Sequence, residues 1–272
     1  YKCWTPKRNR VHYRPPLCPH AIMTQRSDPQ HDPRSVDELV AAALSETDEE
    51  RAWDAVGALH WRGSHEALHK AEQLCHSECE KERKLSADIL GQLGVPERTF
   101  PEESCRVLFS MLESEHSSEV LQAIFIAFSH LGEPSVIPVA AQYHDHPDPD
   151  VRHAVVLAIT GFEEESAINL LIKLSCDTDS DVRDWATFGL GSQIEADTPQ
   201  IRDALVARLD DTDDDTRGEA MVGLAQRKDP RVISAIEKDL ASCASYKAIE
   251  AASFLGSPAL LPALVELREL PN

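Results

Sequence analysis

The chain has 272 residues, 27 lysines and arginines against 47 aspartates and glutamates, and a formal net charge of −20 at pH 7. Six of the basic residues (Lys2, Lys7, Arg8, Arg10, Arg14, Arg26) and none of the acids fall within residues 1–27, so the remainder carries 21 basic against 47 acidic side chains, or −26. A body this acidic repels phosphate backbones and anionic lipid surfaces, which sets aside nucleic acid and membranes as partners.

No apolar h-region opens the chain and no apolar run approaches the length of a membrane span. The seven cysteines (Cys3, Cys18, Cys75, Cys79, Cys105, Cys176, Cys243) are odd in number and scattered. That pattern suits free thiols in a cytoplasmic protein rather than a disulfide framework.

In chain order, residues 1–34 come first, rich in Pro, Arg and His and without a hydrophobic period. Such a segment buries too little to fold and reads as a disordered tail. Met23, followed by a more ordinary polar leader, is a candidate natural start, with residues 1–22 then lying upstream or added. Cys3, His12, Cys18 and His20 are too irregularly spaced for a zinc site. Ser35 with Glu38 three residues on is a capping box, and it opens the body, residues 35–272.

From there the sequence repeats. RAWDAVGALHWRG (51–63), ERKLSADILGQLG (82–94) and SEVLQAIFIAFSHLG (118–132) share one frame, the last with Leu121 in the arginine column. DPDVRHAVVLAITGF (148–162), DSDVRDWATFGLGSQ (179–193) and DDDTRGEAMVGLAQR (213–227) follow, their arginines Arg152, Arg183 and Arg217 being 31 and 34 residues apart. KAIEAASFLG (247–256) fits the second half. Each unit predicts a first helix with apolar residues at i, i+1, i+4 and i+7, such as Val155, Val156, Ile159 and Phe162. A turn follows, then a second helix such as SVIPVAAQY (135–143) or ALLPALVEL (259–267). Helix pairs at this period, none able to bury its face alone, predict an all-α solenoid of about seven pairs. No alternating strand pattern of any length occurs.

The D-x-D-V-R starts at Asp148–Arg152 and Asp179–Arg183, the A-x-x-A-L cores and S-P-A-L-L-P-A-L at 257–264 resemble HEAT repeats, specifically the short HEAT-like class of phycobilin lyase subunits. The resemblance covers about residues 47–270 and is specific for fold, not activity. It implies that Arg83, Arg152, Arg183 and Arg217 pair with acids of the neighbouring repeat as a structural ladder. It also implies that the second helices line the concave side. The acidic starts are N-caps and dipole partners. LDDTDDDT (209–216) lacks the central Gly and closing Glu of a calcium loop and reads as a solvated cap.

HEALH (65–69) matches the H-E-x-x-H pattern, in which two histidines on one helix face ligate zinc and the glutamate activates its water. Here the columns of His65 and His69 hold Pro, Asn, Ser or Glu in other repeats, and no third ligand follows, so the match is incidental. A deoxyhypusine hydroxylase needs several His-Glu pairs, and the chain has only His65–Glu66. A basic, aromatic face such as HEAT-like DNA glycosylases use fits the acidic body badly. No catalytic residue, metal or cofactor is assigned. The reading is a non-catalytic protein-binding scaffold, with a phycobilin lyase-type chaperone or hydroxylase-like enzyme as the alternative. The outward second-helix column Gln73, Gln142, Lys173, Arg208 and Lys238 puts a basic residue in three successive repeats. It is the candidate binding line, for an extended or acidic segment of a partner protein.

Overall fold

The structure is a computed structural model that describes residues 31–269; Cys3, His12, Cys18, His20 and Met23 lie outside them. Every described element is a helix, and the fold is an α-solenoid. After α1 (Val36–Ser45), the helices pair as α2 (Glu49–Arg62) with α3 (His65–Leu74), α4 (Glu80–Gln92) with α5 (Pro101–Leu112), and α6 (Ser118–Leu131) with α7 (Ile137–Ala140). The same order continues in α8 (Pro149–Ile159) and α9 (Glu165–Leu174), α10 (Ser180–Ser192) and α11 (Pro199–Ala207), α12 (Asp214–Gln226) and α13 (Ile233–Ser242), and α14 (Tyr246–Leu255) and α15 (Leu261–Glu269). The chain divides into two compact units, Tyr1–Met111 and Leu112–Asn272.

Local chemistry sets these boundaries. Ser35 and Glu38 form a reciprocal capping box on α1. Asp48, Ser64, Ser117, Asp148, Asp179, Asp213 and Ser245 each accept a backbone N–H of the helix they precede. These bonds satisfy donors that a helix start otherwise leaves unpaired. Gly63, Gly132 and Gly256 close α2, α6 and α14 in the left-handed region, where a Cβ is disfavoured.

Three details differ from the sequence expectation. Residues 31–34 are tied down rather than part of a free tail: Arg62 donates to the carbonyls of Asp32 and Arg34 at 3.0 and 2.6 Å. The segment 135–143 is not one helix but a 3₁₀ turn, the four-residue α7 and a second 3₁₀ turn. Pro134 and Pro138 supply no N–H to a longer ladder. Phe162 lies beyond α8, which ends at Ile159 before Gly161 at φ +91°.

Within residues 112–269 the two helix rows pack differently. The first helices α6, α8, α10, α12 and α14 meet their neighbours extensively, whereas the second helices touch each other sparsely. Small residues permit this approach. A Cβ built on Gly223 would lie 2.6 Å from the Gly191 Cα, and one on Gly191 would lie 3.2 Å from the Gly223 Cα. Val155, Val156, Ile159, Leu171, Leu190, Ile201 and Leu205 fill the space between the rows.

One buried cation holds two layers together. Arg227, at the end of α12, has a side chain only 7% exposed. Its guanidinium donates to the carbonyls of Leu190 (2.8 Å), Gly191 (2.7 Å), Ile194 (3.3 Å), Ala196 (2.9 Å) and Gly223 (3.1 Å). Four of these lie at or just past the end of α10, where carbonyls lack intrahelical partners and the helix dipole favours a cation.

Candidate binding surface

The H-E-x-x-H histidines sit at the start of α3 and turn to separate partners. His65 stacks on Phe100 at 4.3 Å between ring centroids. His69 meets the Gln73 amide at 3.0 Å and the Glu72 carboxylate at 3.5 Å. Among the described residues no group of three or more His, Cys, Asp or Glu side chains is arranged to hold a metal ion. The five described cysteines carry no disulfide.

Three arginines of the ladder column fold back on the turn before their own helix, and two of them also meet an acid of the next repeat. Arg152 donates to the carbonyls of His146 and Pro147 and to both oxygens of Asp177, at 2.8 and 2.7 Å. Arg183 donates to the carbonyls of Asp177 and Thr178 and to both oxygens of Asp211, at 3.0 and 2.9 Å. Arg83 donates to the carbonyls of Ser77 and Glu78. Arg217 departs from this pattern. It reaches the Asp211 carbonyl, but its acid is Asp214 on its own helix. Asp177 and Asp211 stand two places before the caps Asp179 and Asp213, and the matching place before Ser245 holds Cys243.

These pairs make the fold sensitive to acid. Burial alone would raise the Asp177 carboxyl, but bonds from Arg152 and the Asp179 amide outweigh it and hold it below the usual range. Asp211 is held low in the same way by Arg183 and the Asp213 amide. Asp229, bonded chiefly by Arg231 and then by Arg202, is pushed down to about 2. A carboxylate depressed on folding stabilises the native state above its unfolded value, near 3.9, and that contribution disappears as pH falls through the folded value. Thermal stability should therefore hold from pH 7 to about 5 and fall steeply between about pH 4 and 2. The double variant Asp177→Asn, Asp211→Asn should melt lower at pH 7 and lose less on acidification. A wild-type melting temperature unchanged at about pH 2.5 would remove these pairs from the stability of the fold.

The second-helix column is not a line of free charges. Gln73, Gln142, Lys173 and Lys238 are exposed, and Lys173 bonds the Nε2 of His144. Arg208 is withdrawn from the surface. Its side chain is 19% exposed and reaches the Ser175 carbonyl at 3.0 Å and Asp211 at 3.3 Å. Arg183 and Arg208 thus share one carboxylate, which makes Arg208 a part of the ladder.

The first-helix row carries a different set of side chains. The position after the ladder arginine holds His153, Asp184 and Gly218; the next holds Trp185 and Glu219. His153 on α8 meets Trp185 on α10 edge-on at 5.6 Å, and Trp185 meets Phe188 at 5.7 Å. Lys247 on α14 reaches Glu219 on α12 at 2.9 Å. Burial works against its ammonium, but Glu219, Glu250 and Asp184 together raise it above the usual lysine value. Its stem lies over Gly218, where an added Cβ would come within 2.8 Å of the Lys247 Cγ. A half-buried strip of rings and carboxylates therefore crosses four consecutive first helices. Residues 31–111 hold a related set: Lys84 lies over the Trp53 ring at 5.8 Å and bonds Asp88 at 2.8 Å.

Paired helices at this period, an arginine–aspartate ladder and tightly stacked first helices define a HEAT-repeat protein, and the chain belongs to that family: the family model for HEAT repeats matches residues 138–197 and 177–246. Protein YibA of Escherichia coli strain K12 is 30% identical over 213 residues, spanning 76% of this chain and 75% of YibA. The X-ray structure of Escherichia coli YibA matches with a TM-score of 0.71 at 28% identity and 87% coverage of both chains. An engineered protein matches at a TM-score of 0.54, with 20% identity over 86% of this chain and 71% of that one, a likeness of fold alone.

Proposed function

We propose that the protein is a non-catalytic cytoplasmic scaffold that holds a protein partner along its first-helix face. One observation carries this reading: the half-buried strip of aromatic and carboxylate side chains from His153 to Lys247 crosses four successive helices. Solenoids use such continuous faces for extended partners. The ladder and the Arg227 bonds fix the layers that present it, so the face is preorganised and little ordering opposes binding.

Full-length protein immobilised and passed over native lysate should retain a partner identified by mass spectrometry. Calorimetry with that purified partner should then give a saturable one-to-one complex. Titration with a bilin should leave the visible spectrum of the bilin unchanged. A bilin spectrum altered stoichiometrically, with no partner giving a saturable isotherm, would replace the scaffold by the lyase reading.

A further inference from the structure

We propose that the strip on α8, α10, α12 and α14 receives an extended, arginine-bearing segment of the partner, with a guanidinium on the Trp185 ring and bonded to Asp184 and Glu219, and that Lys247 is the internal cation it displaces. The proposal rests on the scaffold reading above and names the partner's chemistry.

Three observations carry it. The first is charge: Lys247 bonds Glu219 and lies near Glu250, Asp184 adds to the same negative field, and the protein carries a net charge of −20. Such a field draws cationic segments and repels acidic ones. The second is chemistry. Aromatic faces beside carboxylates suit a planar guanidinium, which stacks and bonds in two directions at once. The protein already binds a cation this way, since Lys84 lies over Trp53 while bonding Asp88. The third is access. Lys247 lies over Gly218 with its side chain 34% exposed, and its ammonium bonds Glu219 at 2.9 Å. It can swing into solvent without moving a helix.

The spacing sets a register. Neighbouring helices lie about 8–10 Å apart, which is about three residues of a chain in the polyproline II conformation, whose every third side chain shares one face. Arginines at every third position of the partner would therefore meet successive helices.

The test uses the full chain and a fluorescein-labelled peptide with arginine at every third position and serine between, read by anisotropy at about 0.1 M salt, where attraction between distant charges is screened. The peptide should bind saturably, and its glutamate-for-arginine counterpart should not. Asp184→Asn and Trp185→Ala should each weaken binding roughly tenfold or more, with helicity checked by circular dichroism. Lys247→Met should tighten binding several-fold, a gain that lost folding cannot produce. Lys238→Met, the same change of charge on α13, should leave affinity unchanged. Equal tightening by Lys247→Met and Lys238→Met, or undiminished binding to Asp184→Asn, would reduce the effect to general attraction by an acidic surface. A captured partner that binds Asp184→Asn as tightly as wild type leaves the scaffold standing and removes this strip from it.

Discussion

Arg227→Met should lower the stability of residues 112–269 by about 3–5 kcal/mol, because the methionine fills space but leaves buried carbonyls without donors. The carbonyls of Leu190, Gly191, Ile194 and Ala196 all depend on this one guanidinium. Burial pushes the guanidinium below its usual value, yet arginine stays charged throughout the accessible range. For a unit of this size the loss corresponds to a melting temperature lower by about 10 °C. Arg227→Lys should fall between the two, since an ammonium offers three donors in a shorter reach. The measurement is a thermal melt by circular dichroism at pH 7. A methionine variant that melts within about 2 °C of wild type would show that water satisfies those carbonyls instead.

Ile159→Asp should be more damaging still. Ile159 is completely buried at the end of α8, and an unpaired carboxylate there costs several kcal/mol. Each layer of a repeat array is supported only by its neighbours, so loss of α8 undermines the layers on both sides. The expected result is reduced helicity at 25 °C with a broadened melt, against about 1 kcal/mol for the control Ile159→Val. Wild-type helicity and melting in the aspartate variant would mean that the first helix of this repeat does not face the core.

The fold was legible because the arginine column and the apolar residues three and four places on repeat at nearly constant spacing, and that period admits few architectures. The helix starts were legible for a similarly local reason, since Asp148, Asp179 and Asp213 act within four residues of where they stand. The first-helix strip was not. How closely helices more than 30 residues apart approach is set by contacts such as Gly191 against Gly223. Arg208 reads as an exposed lysine-like residue until Ser175 and Asp211 are brought beside it. Trp185 and Glu219 occupy a column that is alanine in the preceding repeat, Ala154. That substitution of bulk and charge for a methyl group was the available signal.

The missing rung at Cys243 changes how the α14–α15 layer is held. Arg217 turns to Asp214 on its own helix, so among the described residues the next layer is tied to α12 by Lys247 on Glu219 and by Lys228 on the Phe254 carbonyl rather than by an arginine–aspartate pair. A lysine ammonium turns on a flexible stem, whereas a guanidinium holds a carboxylate in a fixed two-point fork. Lys247 belongs to that layer. Under the proposed exchange, an incoming guanidinium would therefore replace one of the bonds that hold this layer to α12.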